Sequence, residues 1–174
     1  EEDDGTAYLV LEYLEGETLE ALLARTGRLS ASHGADILLP VMDALALAHA
    51  RAVVHRDIKP GNVFIARGEA GEVPKLLDFG IAKVKSDTFH GTASGTVLGT
   101  VYYMAPEQAR GETRLSPTAD VWSMAVVWYE CLAGTLPFDG PNPNAVLFNI
   151  TSGARAPLVD HAPDAPDSLI VLIE

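Results

Sequence analysis

The chain has 174 residues, 48% of them hydrophobic, with 24 Asp and Glu against 12 Lys and Arg, for a formal charge of −12 at neutral pH. That length and apolar content fit one domain with a sizeable core and exclude global disorder. The negative charge argues against non-specific binding to nucleic acid or to an anionic membrane surface, since both reward basic patches; most carboxylates are read as a solvated surface.

In chain order, residues 6–14, "TAYLVLEYL", are β-branched and aromatic and predict a buried strand. Thr18 reads as the N-cap of a helix whose apolar face is Leu19, Leu22 and Leu23 and whose stop is Gly27. A longer helix is predicted over about residues 30–50, with Ile37, Leu38, Val41, Met42, Leu45 and Ala48 at three- and four-residue spacing. Pro40 falls inside it and removes one helical hydrogen bond, which predicts a kink or a break. "VVH" and "NVFIA" read as short strands on either side of "HRDIKPGN". After the turn "RGEAGEV" the stretch "PKLLDFG" returns as a strand, making a hairpin.

Residues 81–99 are rich in Ser, Thr and Gly and predict a long loop, of the kind that carries function. "YYMAPEQAR" and "RLSPTAD" predict irregular chain with short helical pieces. "ADVWSMAVVWYECLAG" is apolar nearly all round and predicts a central buried helix, punctuated by Gly134 and Pro137. Another helix follows at about residues 145–152, then a proline-rich loop, "APLVDHAPDAPDS", and the start of a further helix. The fold class predicted is α+β, helix-rich, with a small hairpin between a long helix and a long loop. Cys131 is the only cysteine, so no intrachain disulfide forms, and its apolar setting predicts a buried, inert thiol and fits a cytosolic location. No stretch is singled out as membrane-spanning or as a signal peptide. The two ends, "EEDDG" and "SLIVLIE", read as cut from a longer protein.

Chemistry concentrates around the hairpin. If "NVFIA" pairs with "KLLDF", Asn62 and Asp78 meet at its end. An amide oxygen with a carboxylate is a poor zinc site but suits magnesium, which keeps waters and shares phosphate ligands. Asp57 is then a separate carboxylate able to accept a proton from a hydroxyl. Lys59, two residues on in an extended stretch, points the same way and can neutralise a transferring phosphoryl group. Pro60 and Gly61 shape the turn. His33, His49, His90 and His161 share no metal-ligand spacing and read as surface or packing residues. Asp120, at a helix start, could serve as an N-cap.

These residues carry a resemblance. His55-Arg56-Asp57 through Asn62, Asp78-Phe79-Gly80 and Ala105-Pro106-Glu107 resemble, in order and spacing, the catalytic loop, metal-binding motif and segment-ending motif of eukaryotic-like protein kinases. "LLPVMDALALAHARAVVHRDIKPGN" is most similar to the bacterial serine/threonine members. The resemblance implies one partial kinase domain over residues 1–174: the end of the small lobe and the hinge in 1–14, and in 15–174 a large lobe stopping before its final helices. It implies Asp57 as catalytic base, Lys59 on the transferred phosphate, Asn62 and Asp78 on magnesium, and Thr100 near Asp57 and Lys59. Glu12 and Leu14 would offer backbone groups to adenine, with Phe64 in its floor. Arg56 would pair with a phosphorylated loop residue, for which Thr88, Thr92, Ser94 and Thr96 are candidates. His55, Phe79, Gly80, Glu107 and Asp120 would be structural supports, Asp120 holding the backbone of the catalytic loop.

ATP, Mg2+ and a protein with a Ser or Thr acceptor are the ligands and partner implied; nucleic acid is not. The kinase domain would be cytoplasmic, in a parent protein that a membrane anchor could hold. The chain contains neither a glycine-rich phosphate loop nor a lysine upstream of Lys59. It is therefore expected to be nearly inactive by itself, with a small lobe packing on it in the parent. A non-catalytic scaffold derived from a kinase, and a small-molecule kinase, are the alternatives. Ala52 stands where the family usually has glycine, which puts a left-handed turn there in question; Glu107 is expected to lack its usual arginine.

Overall fold

The structure, a computed structural model, describes residues 10–68, 71–78 and 101–174. The loop 81–99, the start of the strand expected at 6–14, and Phe79, Gly80, Thr88, Thr92, Ser94, Thr96 and Thr100 lie outside the described residues.

A three-stranded antiparallel sheet is built from β1 (Gly16–Thr18), β2 (Val63–Gly68) and β3 (Gly71–Leu76), with β2 in the middle. The expected hairpin is β2–β3, registered Val63 opposite Leu76 and Ala66 opposite Val73. Its third strand comes from three residues just before the first helix, where only an N-cap was expected; Thr18 serves both, pairing with Phe64 and capping α1 (Leu19–Thr26) by accepting from Ala21 N–H at 3.2 Å. Two other expected strands do not form. The described part of the first, residues 10–14, has no ladder partner, and "VVH" is loop. Extended chain becomes strand only where a neighbour takes its backbone groups.

Helix α2 (Ala31–His49) runs unbroken through Pro40. Pro40 and Asp36, whose carbonyl loses its donor, are both on the exposed side, where water replaces the missing bond. The opposite face, Ile37, Leu38, Val41 and Leu45, is buried, while Met42 is exposed. By length and composition α2 passes the test for a membrane-crossing helix, although the sequence reading singled out none. Its buried face is nonetheless part of the main core, against α4 (Thr118–Ala133).

Between these lie α3 (Pro106–Ala109) and a 3-10 turn at Val101–Tyr103. Helix α4 contributes to both hydrophobic clusters. Met124, Val127, Trp128, Tyr129, Cys131 and Leu132 join the main core with α1, α2 and β2. Val126 joins a second cluster with Val101, Phe138, Val146 and Ile150. Helix α4 ends at Gly134 (φ 70°), where a side-chain carbon would lie 2.8 Å from Gly27 O, so only glycine lets the two chains touch. Cys131 is fully buried, and burial pushes its thiol up to about 12, which keeps it protonated. Helix α5 (Pro143–Ser152) follows, then α6 (Leu158–His161), a turn of helix inside the stretch expected to be proline-rich loop, and α7 (Asp167–Ile173).

Candidate active site

Helix α2 hands the chain to the site through a turn that Ala52 makes in the left-handed conformation (φ 58°). Ala52 N–H bonds to His49 O at 2.9 Å and Val53 N–H to Ala48 O at 3.0 Å, the paired bonds of a Schellman motif. The glycine usually favoured there is thus not needed for the turn, at the expense of local strain.

The loop from His55 to Asn62 is held by side chains rather than by a ladder. Asp120, fully buried in the first turn of α4, accepts His55 N–H through Oδ2 at 2.8 Å and Arg56 N–H through Oδ1 at 2.7 Å. It does not cap its own helix, whose N-cap is Pro117. Its charge lies near the helix N-terminus, which favours it. His49 Nε2, at 2.7 Å from Asp120 Oδ2, adds a third partner. The sequence reading assigned His49 to surface or packing; only its place at the end of α2 hinted otherwise.

His55 is also fully buried, and its two ring nitrogens have distinct partners. Nδ1 accepts Asp57 N–H at 3.3 Å, so the proton sits on Nε2, which donates to Leu77 O at 2.9 Å. The ring therefore ties the loop to the strand leading into Asp78.

The carboxylate of Asp57 meets Lys59 Nζ at 3.2 Å and Asn62 Nδ2 at 3.3 Å, and Asn62 Nδ2 also donates to Asp57 O at 2.7 Å. Lys59 is extended (φ −163°), which places it on the side of Asp57. Pro60 to Asn62 form a 3-10 turn that buries the asparagine under the loop. Asn62 O accepts Leu77 N–H at 2.8 Å, extending the β2–β3 ladder by one residue, and Asp78 is the next residue along the returning chain. Asp78 is exposed and left-handed (φ 49°); Arg56, half-buried, is left-handed too (φ 68°). With Nδ2 turned onto Asp57, the Asn62 amide presents its oxygen elsewhere. Asn62 and Asp78 each carry a hard oxygen donor of the kind that magnesium takes. Among the described residues no cluster of three or more His, Cys, Asp or Glu could hold a metal by itself.

The segment 101–109 sits against this loop. Ser123 of α4 donates to Tyr103 O at 2.6 Å, and Tyr103 O–H donates to Glu130 Oε2 at 2.7 Å. Burial raises the Tyr103 hydroxyl far above its ordinary range, with Glu130 adding to it, so it stays a donor. Burial also raises the Glu130 carboxyl, against the opposing effect of that hydrogen bond. Glu107 has no ionic partner among the described residues, and the Arg56 Nε–H is buried without one.

The adenine-side residues are more loosely placed. Phe64 is half-buried in β2 between Thr18 and Lys75. Leu14 is half-buried, and Glu12 reaches Lys75 Nζ at 2.6 Å in an exposed pair.

A family model described as the protein kinase domain matches residues 1–168. Serine/threonine-protein kinase PknA of Mycobacterium tuberculosis is 46% identical over 169 residues, covering 97% of this chain and 37% of that protein. Serine/threonine-protein kinase pkn2 of Myxococcus xanthus is 40% identical over 159 residues, 90% of this chain and 19% of that protein. Serine/threonine-protein kinase PknB of Mycolicibacterium smegmatis is 36% identical over 169 residues, 96% of this chain and 26% of that protein. The chain thus spans well under half the length of these curated relatives.

Proposed function

The chain belongs to the protein kinase domain family, and on that footing we propose that the protein carrying it is a serine/threonine kinase, moving the γ-phosphoryl of ATP to protein hydroxyls. The observation that supports this reading is the convergence of Asp57, Lys59 and Asn62 in one bonded set, with the residue before Asp78 bonded to Asn62 O.

In the proposed reaction the acceptor oxygen attacks the γ-phosphorus, the bond to the β-phosphate oxygen breaks, and ADP leaves. Asp57 takes the hydroxyl proton; its carboxylate is oriented by Lys59 and Asn62. Lys59 offsets charge on the phosphoryl group in transit. Asn62 and Asp78 would hold Mg2+, which when bound neutralises phosphate charge. Asp120 and His55 keep the loop in place so that little reorganisation is left to the reacting complex. Glu12, Leu14 and Phe64 would receive adenine. Arg56 would receive a phosphate on the loop that includes Thr88, Thr92, Ser94 and Thr96, and Thr100 would support the acceptor; Phe79 and Gly80 complete the metal motif. We assign residues 1–14 to the small lobe and hinge and 15–174 to the large lobe, with a small lobe packing above the hairpin and the whole facing the cytoplasm.

The test is radiolabelled ATP with Mg2+ and a Ser/Thr peptide library, on the full-length protein. Turnover is expected, and Asp57→Asn should lower kcat by about 10²–10⁴-fold. Equal turnover in that variant would refute the role of Asp57. No turnover in the natural full-length protein would favour a scaffold. The isolated 174-residue chain should turn over little, since it has neither glycine loop nor upstream lysine.

A further inference from the structure

Gln108 is not among the residues assigned to chemistry, yet both ends of its amide are engaged. Oε1 accepts Ala105 N–H at 3.0 Å, closing the start of α3, and Nε2 donates to Arg56 O at 3.0 Å. The first bond uses the acceptor on the helix that Gln108 belongs to. The second spends the donor on a loop 52 residues away in sequence.

The bond to Arg56 matters because of where that carbonyl sits. Arg56 is left-handed, a conformation disfavoured for an L-residue unless its surroundings impose it. Its N–H is held from α4 by Asp120 Oδ1 at 2.7 Å. Its C=O is held from α3 by Gln108. That carbonyl belongs to the planar peptide joining Arg56 to Asp57, so fixing it fixes the direction in which Asp57 leaves the loop. We propose that Gln108 is a positioning residue: the donor half of its amide locks the Arg56–Asp57 peptide plane, so that the segment 101–109 and the catalytic loop hold one relative geometry. The proposal rests on the kinase reading for its consequence, but the latch itself is a matter of backbone protection.

Gln108→Glu separates the two halves of the amide. It keeps an acceptor for Ala105 N–H and replaces the donor with an oxygen facing Arg56 O, where two acceptors repel. Two readouts are needed on the full-length protein. Hydrogen exchange over residues 55–58 should accelerate at least about tenfold, with α4 protection unchanged. In the phosphoryl-transfer assay kcat should fall about tenfold, with KM for ATP within about twofold. Unchanged exchange at 55–58 overturns the latch, as does a loss of protection that extends through α4, which would mean a general loss of stability. An unchanged kcat with faster exchange overturns the positioning role. If the natural protein shows no turnover, the kinase reading fails and the exchange result alone decides the latch. Should Gln108→Glu not fold, Gln108→Met, of similar size with no donor, is read by the same two measurements.

Discussion

Residues 10–15 and residues 51–59 start from similar chemistry. Both carry apolar and β-branched side chains, and both read as strand at least in part. They end in opposite states. Val10, Leu11 and Tyr13 are 82%, 68% and 87% exposed, whereas the second segment, exposed as far as Val53 (45%), buries His55 and Ile58 to 0% and 1% exposure. Apart from Glu15, whose O meets Arg67 N–H beside β1, neither segment joins the sheet. In the second, side chains do what a ladder would have done: Asp120 takes two N–H groups, His55 a third, and Gln108 a carbonyl. In the first, the described contacts are one backbone bond, Arg67 N–H to Glu15 O at 2.7 Å, and the exposed Lys75–Glu12 pair. An extended segment is buried only when its polar backbone is satisfied. Here the buried carboxylate of Asp120 makes the difference.

That contrast is broken most severely at Asp120. Asp120→Ala would leave two loop N–H groups and the His49 ring nitrogen buried without their acceptor. A loss of about 3–5 kcal/mol of unfolding free energy is expected, from urea denaturation, together with loss of the proposed phosphoryl transfer in the full-length protein. A loss under about 1 kcal/mol would show that the loop is held by packing instead.

A smaller effect of opposite sign is expected where the loop begins. Ala52→Gly relieves the left-handed penalty of about 1–2 kcal/mol, partly offset by about 0.4–1 kcal/mol from the freer unfolded chain. A net gain of about 0.5–1 kcal/mol should appear in the same denaturation experiment, with kcat unchanged. Destabilisation would mean that Ala52 is not in the Schellman turn in solution.

On the exposed segment the expected effect is smallest. Lys75→Met removes the pair with Glu12 and should change stability by less than about 0.5 kcal/mol, an amount that added salt abolishes in the natural chain. A larger loss would place residues 10–15 against the sheet more firmly than their exposure indicates.

Much of the framework was legible in the residues. The cap at Thr18, the apolar faces of α1 and α2, the Gly27 and Gly134 stops and the buried α4 all follow from local spacing and turn chemistry. The hairpin was legible too, because two short strands with a turn between them have little choice of partner. Misreadings fell where a segment's state depends on distant chain: the unformed strands at 10–14 and "VVH", the third strand at Gly16–Thr18, and the continuity of α2 through Pro40.

The sequence by itself determined which residue types surround the site and their order, since Asp57, Lys59, Asn62 and Asp78 lie close along one hairpin and the motifs around them are contiguous. Only the tertiary structure decided how those residues are aimed. Asp120 lies 64 residues from Arg56, and Gln108 lies 52 residues from it; His49 meets Asp120 across 71. Hydrogen bonds over such separations form because packing of α2 and α4 brings their ends together, and no local spacing rule encodes that meeting.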